Sequence, residues 1–102
     1  MTIDKSHFNV IDIDAIIKEK RKDPVYDIEY RKVDALYTMI NTFVKMRKEM
    51  GVTQEELAKR CFISQQAVSR IEKEKHIPNM DTFIKMLTAL DITIRLEAKS
   101  SR

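Results

Sequence analysis

The sequence has very few of the residues that make tight turns and cross-links. Its 102 residues include one glycine, two prolines, one cysteine and no tryptophan. An all-β protein needs many turns rich in Gly and Pro, so this composition favours a mainly helical chain. Cys61 cannot form a disulfide within the chain, and Cys61, His7 and His76 are too few for a four-ligand zinc site. We therefore expect a reduced protein with no metal or other cofactor.

Long apolar runs are also missing. No run approaches the roughly 18 residues that span a membrane, and the beginning of the chain has no apolar core of a signal peptide. We expect a cytoplasmic protein. With 43% apolar and 34% charged residues, the chain has the composition of a globular domain, and its length suits one core with an appendage.

The basic charge is concentrated in one part of the chain. The formal net charge is +3, and residues 45–75 contain eight basic and five acidic residues, so this segment carries the whole excess. A basic segment is compatible with a nucleic-acid partner, although a charge of this size does not establish one.

The first half of the chain predicts two helices. Ile13, Ile16 and Ile17 have helical spacing and predict a short amphipathic helix from Asp12 to Lys22. Asp23 and Pro24 have the chemistry of a helix start, and a helical pattern follows to Met50. Its largely apolar stripe is expected to face a core and consists of Leu36, Ile40, Phe43, Val44 and Arg47. Gly51 is expected to end this helix in the left-handed conformation.

Two short helices follow, separated by a brief turn. Thr53 and Glu56 form a capping-box pattern at the start of the first, which buries Leu57 and Ala58. Ser64 is a second N-cap, ahead of a helix that buries Ala67, Val68 and Ile71. Two short helices joined in this way, with a small Ala58 at the crossing, predict a helix-turn-helix unit.

Pro78 stops the second short helix, and Asp81 is expected to cap another. The inner face of that helix would contain Ile84, Leu87 and Leu90, with Phe83 and Met86 beside them. From Ile92 the period changes to two, which predicts a half-buried strand through the apolar residues Ile92, Ile94 and Leu96.

The outward face of the helix after Ser64 carries the side chains suited to reading DNA. Gln can pair with the edge of adenine, Arg with the edge of guanine, and Ser with either. Residues at the start of a recognition helix are those that reach the bases. The predicted base-reading residues are therefore Gln65, Gln66, Ser69 and Arg70. Any exposed helix can carry such residues for solubility. From this face alone, a base-contacting role and a purely solubilising role therefore both stay open.

The segment RKEMGVTQEELAKRCFISQQAVSRIEKEKHIPN resembles the Xre and lambda-repressor type of helix-turn-helix domain. The resemblance rests on Arg47, Gly51, the TQEELA run, the ISQQAVSRIE run and Pro78 at coherent spacings. It implies an all-α, lambda-repressor-like bundle in which Arg47 and Glu72 form a structural ion pair. It also implies that Gln54 supports the DNA backbone and the first recognition Gln, and that Ser64 and Lys75 approach phosphates. Lys73, on the outward face of the same helix, is a further predicted backbone contact.

The sequence departs from this family at two positions. Phe62 stands where the family usually has Gly in the turn, and Glu74 stands where a Gly usually follows the recognition helix. Both positions often need a positive φ, which non-Gly residues adopt at a cost of about 1 kcal/mol. Phe62 is either a turn residue packed on the core or an exposed contact, and we expect packing.

A longer resemblance covers Asp23 to Lys99. The segments DPVYDIEYRKVDALYTMINTFVKMRKEMG and MLTALDITIRLEAK are similar to the antitoxins of HigBA-type toxin and antitoxin pairs. The resemblance implies an antitoxin that binds its own operator, as a nucleoid-associated repressor, and neutralises a RelE-like, mRNA-cleaving toxin through its extension. The alternative is a stand-alone Xre-family repressor without a toxin. An enzyme is disfavoured, because no catalytic constellation or phosphate loop is present.

The extension is the predicted toxin-binding segment. Residues 4–34 hold eight acids and seven bases, so contacts with a basic toxin would be chiefly apolar. The candidate contact residues are Phe8, Ile13, Ile16, Ile17 and Tyr26. The alternative is that the Ile stripe folds back on the core.

The predicted C-terminal strand needs a neighbour, because a lone strand is not stable. We expect it to pair with the same strand of a second copy in a two-fold dimer, which would place two recognition helices about one DNA turn apart. In the alternative, residues 8–11 supply the second strand within one chain. The sequence thus predicts three parts, an extension at 1–33, a DNA-binding domain at 34–91 and a dimerisation strand and tail at 92–102.

Overall fold

The structure, a computed structural model, describes residues 11–99, and this part of the chain is helical. It contains α1 (Ile13–Lys20), α2 (Pro24–Glu49), α3 (Gln54–Cys61), α4 (Gln65–Glu72) and α5 (Met80–Ala89). The predicted helical fold is confirmed. None of these helices is long and apolar enough to be a membrane span. The chain divides into two compact units, with the boundary between Ala35 and Leu36.

In the first unit, α1 leads into the first turns of α2. The Asp12 side chain caps α1 by accepting a hydrogen bond from the Ala15 amide, 3.1 Å away, and none of the α1 residues is buried. The Asp23 carboxylate accepts from the Val25 amide at 3.0 Å, which confirms Asp23 and Pro24 as a helix start. These caps satisfy amides that the helices themselves leave free.

An ion-pair cluster connects α1 with the start of α2. The Arg21 and Arg31 guanidinium groups both donate to the Asp27 carboxylate, and Arg21 lies 4.7 Å from the centre of the Tyr30 ring. The hydrogen bond from Arg21 holds the pKa of the Asp27 carboxyl below its ordinary value, and the same bond raises the pKa of Arg21. This cluster is open to solvent, so it orients the two helices more than it stabilises them.

The second unit packs the rest of α2, α3, α4 and α5 around one core. Helix α3 packs against both α4 and α5. Apart from Arg47, the buried residues are apolar; they are Ile40, Phe43, Val52, Leu57, Ala58, Cys61, Val68, Ile71, Met86, Leu87 and Leu90. Cys61 is wholly inaccessible, and its burial raises the pKa of the thiol. A buried thiol of raised pKa is an inert packing group.

Gly51 lies just past the end of α2. Its φ is +73°, as a residue just past a helix end should have, and the Val52 amide returns to the Arg47 carbonyl at 3.2 Å. No atom lies within 4 Å of where a Cβ would stand, so the backbone conformation and not the space calls for Gly here.

Helix α5 differs from the prediction in its cap and its inner face. Asn79, and not Asp81, is the N-cap, and its side chain accepts from the Thr82 amide at 2.7 Å. The side chains that face the core are those of Phe83, Met86, Leu87 and Leu90, whereas Ile84 is 43% exposed. The spacing from Phe83 onward follows the helical repeat, which turns Ile84 away from the core.

The predicted strand at residues 92–97 is not formed in the single chain. The segment from Ile92 to Lys99 has no regular secondary structure. The Ile92 amide donates to the Leu87 carbonyl at 2.9 Å and its side chain packs on the core, but Leu96 is 92% exposed. A strand forms only with a hydrogen-bonding neighbour, which the described residues of one chain do not provide. The pairing of two copies therefore stays a prediction.

Candidate nucleic-acid interface

A turn of three residues connects α3 with α4. The Thr53 hydroxyl accepts from the Glu56 amide and the Ser64 hydroxyl accepts from the Ala67 amide, each at 3.0 Å, so both predicted N-caps are confirmed. The capping box at Thr53 is only half formed, because the Glu56 carboxylate bonds to Arg60 one turn along the helix. These caps fix where α4 begins.

Phe62 lies in this turn with a left-handed backbone, at φ 60°, and Glu74 has φ 61°. Both positions therefore have the positive φ expected from the family resemblance. The prediction that Phe62 packs on the core is wrong, because its side chain is 90% exposed. The space behind the turn is occupied by its neighbours, Cys61 and Ile63, which both contact the core. The exposed position of Phe62 follows from that arrangement.

The two faces of α4 differ sharply. Val68 and Ile71 are buried, and Ala67 is only half-buried. Three of the four predicted base-reading residues, Gln65, Gln66 and Arg70, are exposed on the outward face, while Ser69 is half-buried. The outward side chains are thus free of the core.

The predicted backbone-contact residues lie around this face. Ser64, Lys73 and Lys75 are exposed. Since the Ser64 oxygen already accepts from the Ala67 amide, its hydroxyl hydrogen remains available to a phosphate oxygen. The start of α4 also presents free amides, which favour an anion. The surface at the start of α4 therefore suits a phosphate group.

A buried ion pair holds α4 against α2. The Arg47 Nε and Nη2 groups donate to the two carboxylate oxygens of Glu72 at 2.6 and 2.7 Å. The side chains of Arg47 and Glu72 are only 7% and 3% exposed. Two parallel bonds between a guanidinium and a carboxylate fix both direction and distance. The structural ion pair expected from the family resemblance is present.

Two further hydrogen bonds complete this network. Arg47 Nη1 donates to the Val52 carbonyl at 2.7 Å, and Gln54 Nε2 donates to a Glu72 oxygen at 2.9 Å. Among the described residues no buried side-chain nitrogen or oxygen lacks a partner. Gln54 was predicted as a DNA-backbone contact, and its bond to Glu72 was not predicted, because no pattern in the sequence indicates it. Its amide connects the start of α3 with the end of α4.

The predicted toxin-contact residues belong to the first unit. Ile13 and Ile16 are 64% and 44% exposed, whereas Ile17 and Tyr26 are half-buried. Tyr26 stacks on Tyr30, with ring centres 6.4 Å apart. Phe8 lies outside the described residues. Among the described candidates, the exposed pair is therefore Ile13 and Ile16.

The comparison with family models matches residues 44–96 to the model described as Helix-turn-helix. This match covers α3, the turn, α4 and α5. The chain belongs to the helix-turn-helix family. Its domain is of the Xre-like kind, as the sequence resemblance predicted.

Several curated relatives resemble the helix-turn-helix chain. Antitoxin HipB of Escherichia coli O6:H1 is 31% identical over 74% of this chain and 83% of HipB. Antitoxin HigA1 of Mycobacterium tuberculosis is 30% identical over 72% of this chain, and the match spans only 50% of HigA1. An uncharacterised HTH-type transcriptional regulator of Haemophilus influenzae is 26% identical over 67% of this chain and 69% of that protein. No solved structure matches the chain.

The ion pair predicts a large loss of stability on removal of Arg47. Arg47→Ala should lower the free energy of unfolding by about 3–5 kcal/mol, because it leaves the Glu72 charge buried without its partner. Urea denaturation followed by circular dichroism measures this change.

Arg60 provides the matched control. It pairs with Glu56 on the exposed face of α3, so Arg60→Ala should lower the free energy of unfolding by only about 0.3–0.5 kcal/mol. Equal losses for the two arginine variants would show that the buried pair does not hold the domain together.

Proposed function

We propose that this chain is the antitoxin of a HigBA-like type II toxin-antitoxin system, which represses its own operon by binding operator DNA and neutralises a RelE-like, mRNA-cleaving toxin. The observation that carries the DNA-binding part is the exposed polar face of α4, held in place by the buried network of Arg47, Glu72 and Gln54. A reading helix must be rigid, because base contacts depend on position.

In this proposal the first turn of α4 enters the major groove. Gln65 and Gln66 contact base edges, with Ser69 and Arg70 one turn further along. Ser64, Lys73 and Lys75 contact the flanking phosphates, which would orient the domain on the duplex without reading sequence. Gln54 reaches the backbone near the start of α3 while its amide nitrogen remains bonded to Glu72. The protein would then act in the cytoplasm, on the nucleoid.

The antitoxin part rests on two further observations. Two of the relatives, HipB and HigA1, are named antitoxins. The segment before α2 carries exposed apolar side chains, which a solvated helix does not need. We propose that Ile13, Ile16 and Ile17, with Phe8 and Tyr26, form the contact with the toxin. The alternative, a stand-alone repressor, is favoured by the relative named only as a transcriptional regulator.

A two-fold dimer would present both reading helices to a palindromic operator. Ile94 and Leu96 are exposed and alternate with polar residues, a pattern suited to an antiparallel pair of strands. We propose that residues 92–97 become ordered as strands when two copies associate. Dimers of this kind read half-sites about one helical turn apart.

The base-reading role predicts a loss of sequence-specific affinity. Replacing Gln65 or Gln66 by Ala should weaken binding to the cognate operator by about 1–3 kcal/mol for each lost contact, without changing the melting temperature, because both side chains are exposed. Fluorescence anisotropy with operator and scrambled duplexes measures the effect.

Asn41→Ala is the control for this prediction, since Asn41 is an exposed amide on α2. It should bind operator DNA like the wild type. Unchanged operator affinity in the Gln65 and Gln66 variants would contradict the proposal that α4 is the recognition helix.

The toxin contact predicts that a small basic protein copurifies with the tagged chain from its native cells. Changing Ile13 and Ile16 together to Asp should abolish this association, because carboxylates cannot enter an apolar interface without a large desolvation cost. The copurified protein should cleave RNA, and wild-type chain should inhibit the cleavage where the double variant does not.

Operator binding by the double variant tests whether a loss of toxin binding is caused by misfolding. The Ile13 and Ile16 double variant should retain operator binding, since its changes lie in the first unit. Recovery of the chain alone, with DNA but no partner, would favour the stand-alone repressor.

The dimer proposal predicts a monomer when residues 92–102 are deleted. The truncated chain should have poor operator affinity, because two linked half-site contacts become two separate ones. Light scattering measures the mass, and Ile94→Asp with Leu96→Asp tests the same contact in the full chain. A truncated chain that is still dimeric would place the interface elsewhere.

A further inference from the structure

The segment that follows α5 has no partner for its backbone within the described residues. The Ile92 amide donates to the Leu87 carbonyl, but no backbone amide from Thr93 to Lys99 bonds to another described backbone group. Asp91, directly before Ile92, has a left-handed backbone at φ 57°, which a β-strand does not contain. A strand that pairs with a neighbour can therefore start no earlier than Ile92.

This segment also carries two opposite charges that are unused in the single chain. Arg95 and Glu97 are both exposed, and neither forms an ion pair with another described residue. Both would lie on the polar face of a strand, because alternate residues share a face. Across an antiparallel pair, directly opposite residues interact, so that opposite charges stabilise the pair and like charges destabilise it. The positions of these two charges therefore favour some alignments of a partner strand over others.

We propose that Arg95 and Glu97 select a second copy of the chain as the partner of this strand, paired antiparallel with the two-fold axis at Leu96. This inference rests on the dimer proposed above and specifies its register. In this register Arg95 lies opposite the partner's Glu97, and the two Leu96 side chains lie opposite each other. A two-fold contact repeats each pair, so the dimer contains the ion pair twice.

Like charges disfavour the neighbouring registers. An axis at Arg95 would place the two guanidinium groups opposite each other, and an axis at Glu97 would do the same with the two carboxylates. A shift of the pairing by one residue would turn the apolar side chains of the two strands to opposite faces. These three registers therefore lose either the charge match or the shared apolar face.

An axis at Ile94 is the remaining competitor. It contains no opposed like charges, but the left-handed backbone of Asp91 limits its pairing to residues 92–96, and Arg95 then lies opposite Thr93. The axis at Leu96 pairs residues 93–99 of each copy and so extends the proposed strand to Lys99. It forms the longer ladder and is the register that uses both charges.

The order of the charges favours a second copy over a strand of one charge sign. A basic strand would place a base opposite Arg95, and an acidic strand would place an acid opposite Glu97. A strand that satisfies both must carry an acid and a base in the reverse order, as the antiparallel copy does. The contact lies within residues 93–99, so deletion of residues 92–102 removes it and should still give a monomer.

Disulfide cross-linking of the full-length chain tests the register directly. Leu96→Cys and Ile94→Cys each add one exposed thiol, whereas Cys61 is wholly buried and does not compete. Directly opposite Cα atoms lie about 4.5–5.5 Å apart, which a disulfide can span. With the axis at Leu96, the two positions 94 are roughly 13 Å apart along the strands. Leu96→Cys should therefore form a disulfide-linked dimer under mild oxidation, and Ile94→Cys should not.

The failures of the register and of the dimer are distinguishable. Cross-linking through Ile94→Cys and not through Leu96→Cys would place the axis at Ile94 and overturn the register while the dimer stands. A wild-type chain that is monomeric in light scattering, or that stays dimeric without residues 92–102, would contradict the dimer of strands itself and the register with it.

Charge reversal measures what the two ion pairs contribute. Arg95→Glu and Glu97→Arg should each weaken dimerisation by about tenfold or more in analytical ultracentrifugation, because each places like charges opposite one another twice. The double variant Arg95→Glu with Glu97→Arg restores the opposite charges and should associate like the wild type. Lys45→Glu, which reverses an exposed charge on α2, is the matched control and should also do so. No recovery in the double variant, or an equal loss in Lys45→Glu, would show that the two charges do not select the partner.

Discussion

The bidentate bond between Arg47 and Glu72 is the interaction on which the second unit depends. It connects the end of α2 with the end of α4 through two charges that are almost wholly withdrawn from water. Burial of a charge is tolerated only when every donor and acceptor is satisfied, and here Val52 and Gln54 supply the remaining partners. The angle of α4 is consequently set by hydrogen-bond geometry, which is directional, and not by apolar packing alone.

The same network explains why the polar face of α4 can be specialised. Val68 and Ile71 pack α4 on the core, and Glu72 bonds the end of α4 to Arg47 of α2. The outward residues have no part in either contact. Because these outward side chains do not hold the helix in place, they can be substituted while the fold is retained.

The sequence predicted those parts of the structure that short-range chemistry determines. The caps at Thr53 and Ser64 and the ends of α2 follow from side chains that bond to neighbouring amides, and the buried pair followed from the resemblance to a known family. It failed at the N-cap of α5 and at the side chains of Ile84, Phe62 and Gln54. Asn79 and Asp81 are both residue types that cap helices well, and the helical repeat that begins at Phe83 turns Ile84 to the surface. The exposure of Phe62 and the Gln54 bond depend on packing between helices, which no local pattern reports.

Three positions outside glycine have a left-handed backbone in the described chain, and they lie at the ends of helices. They are Phe62 after α3, Glu74 after α4 and Asp91 after α5. Each holds conformational strain of about 1 kcal/mol, less for Asp than for the others. A glycine at these loop positions would adopt the same backbone without this strain, so the domain can still gain stability at its helix ends. Substitutions at these three positions would therefore change the stability of the domain and leave the exposed face of α4 as it is.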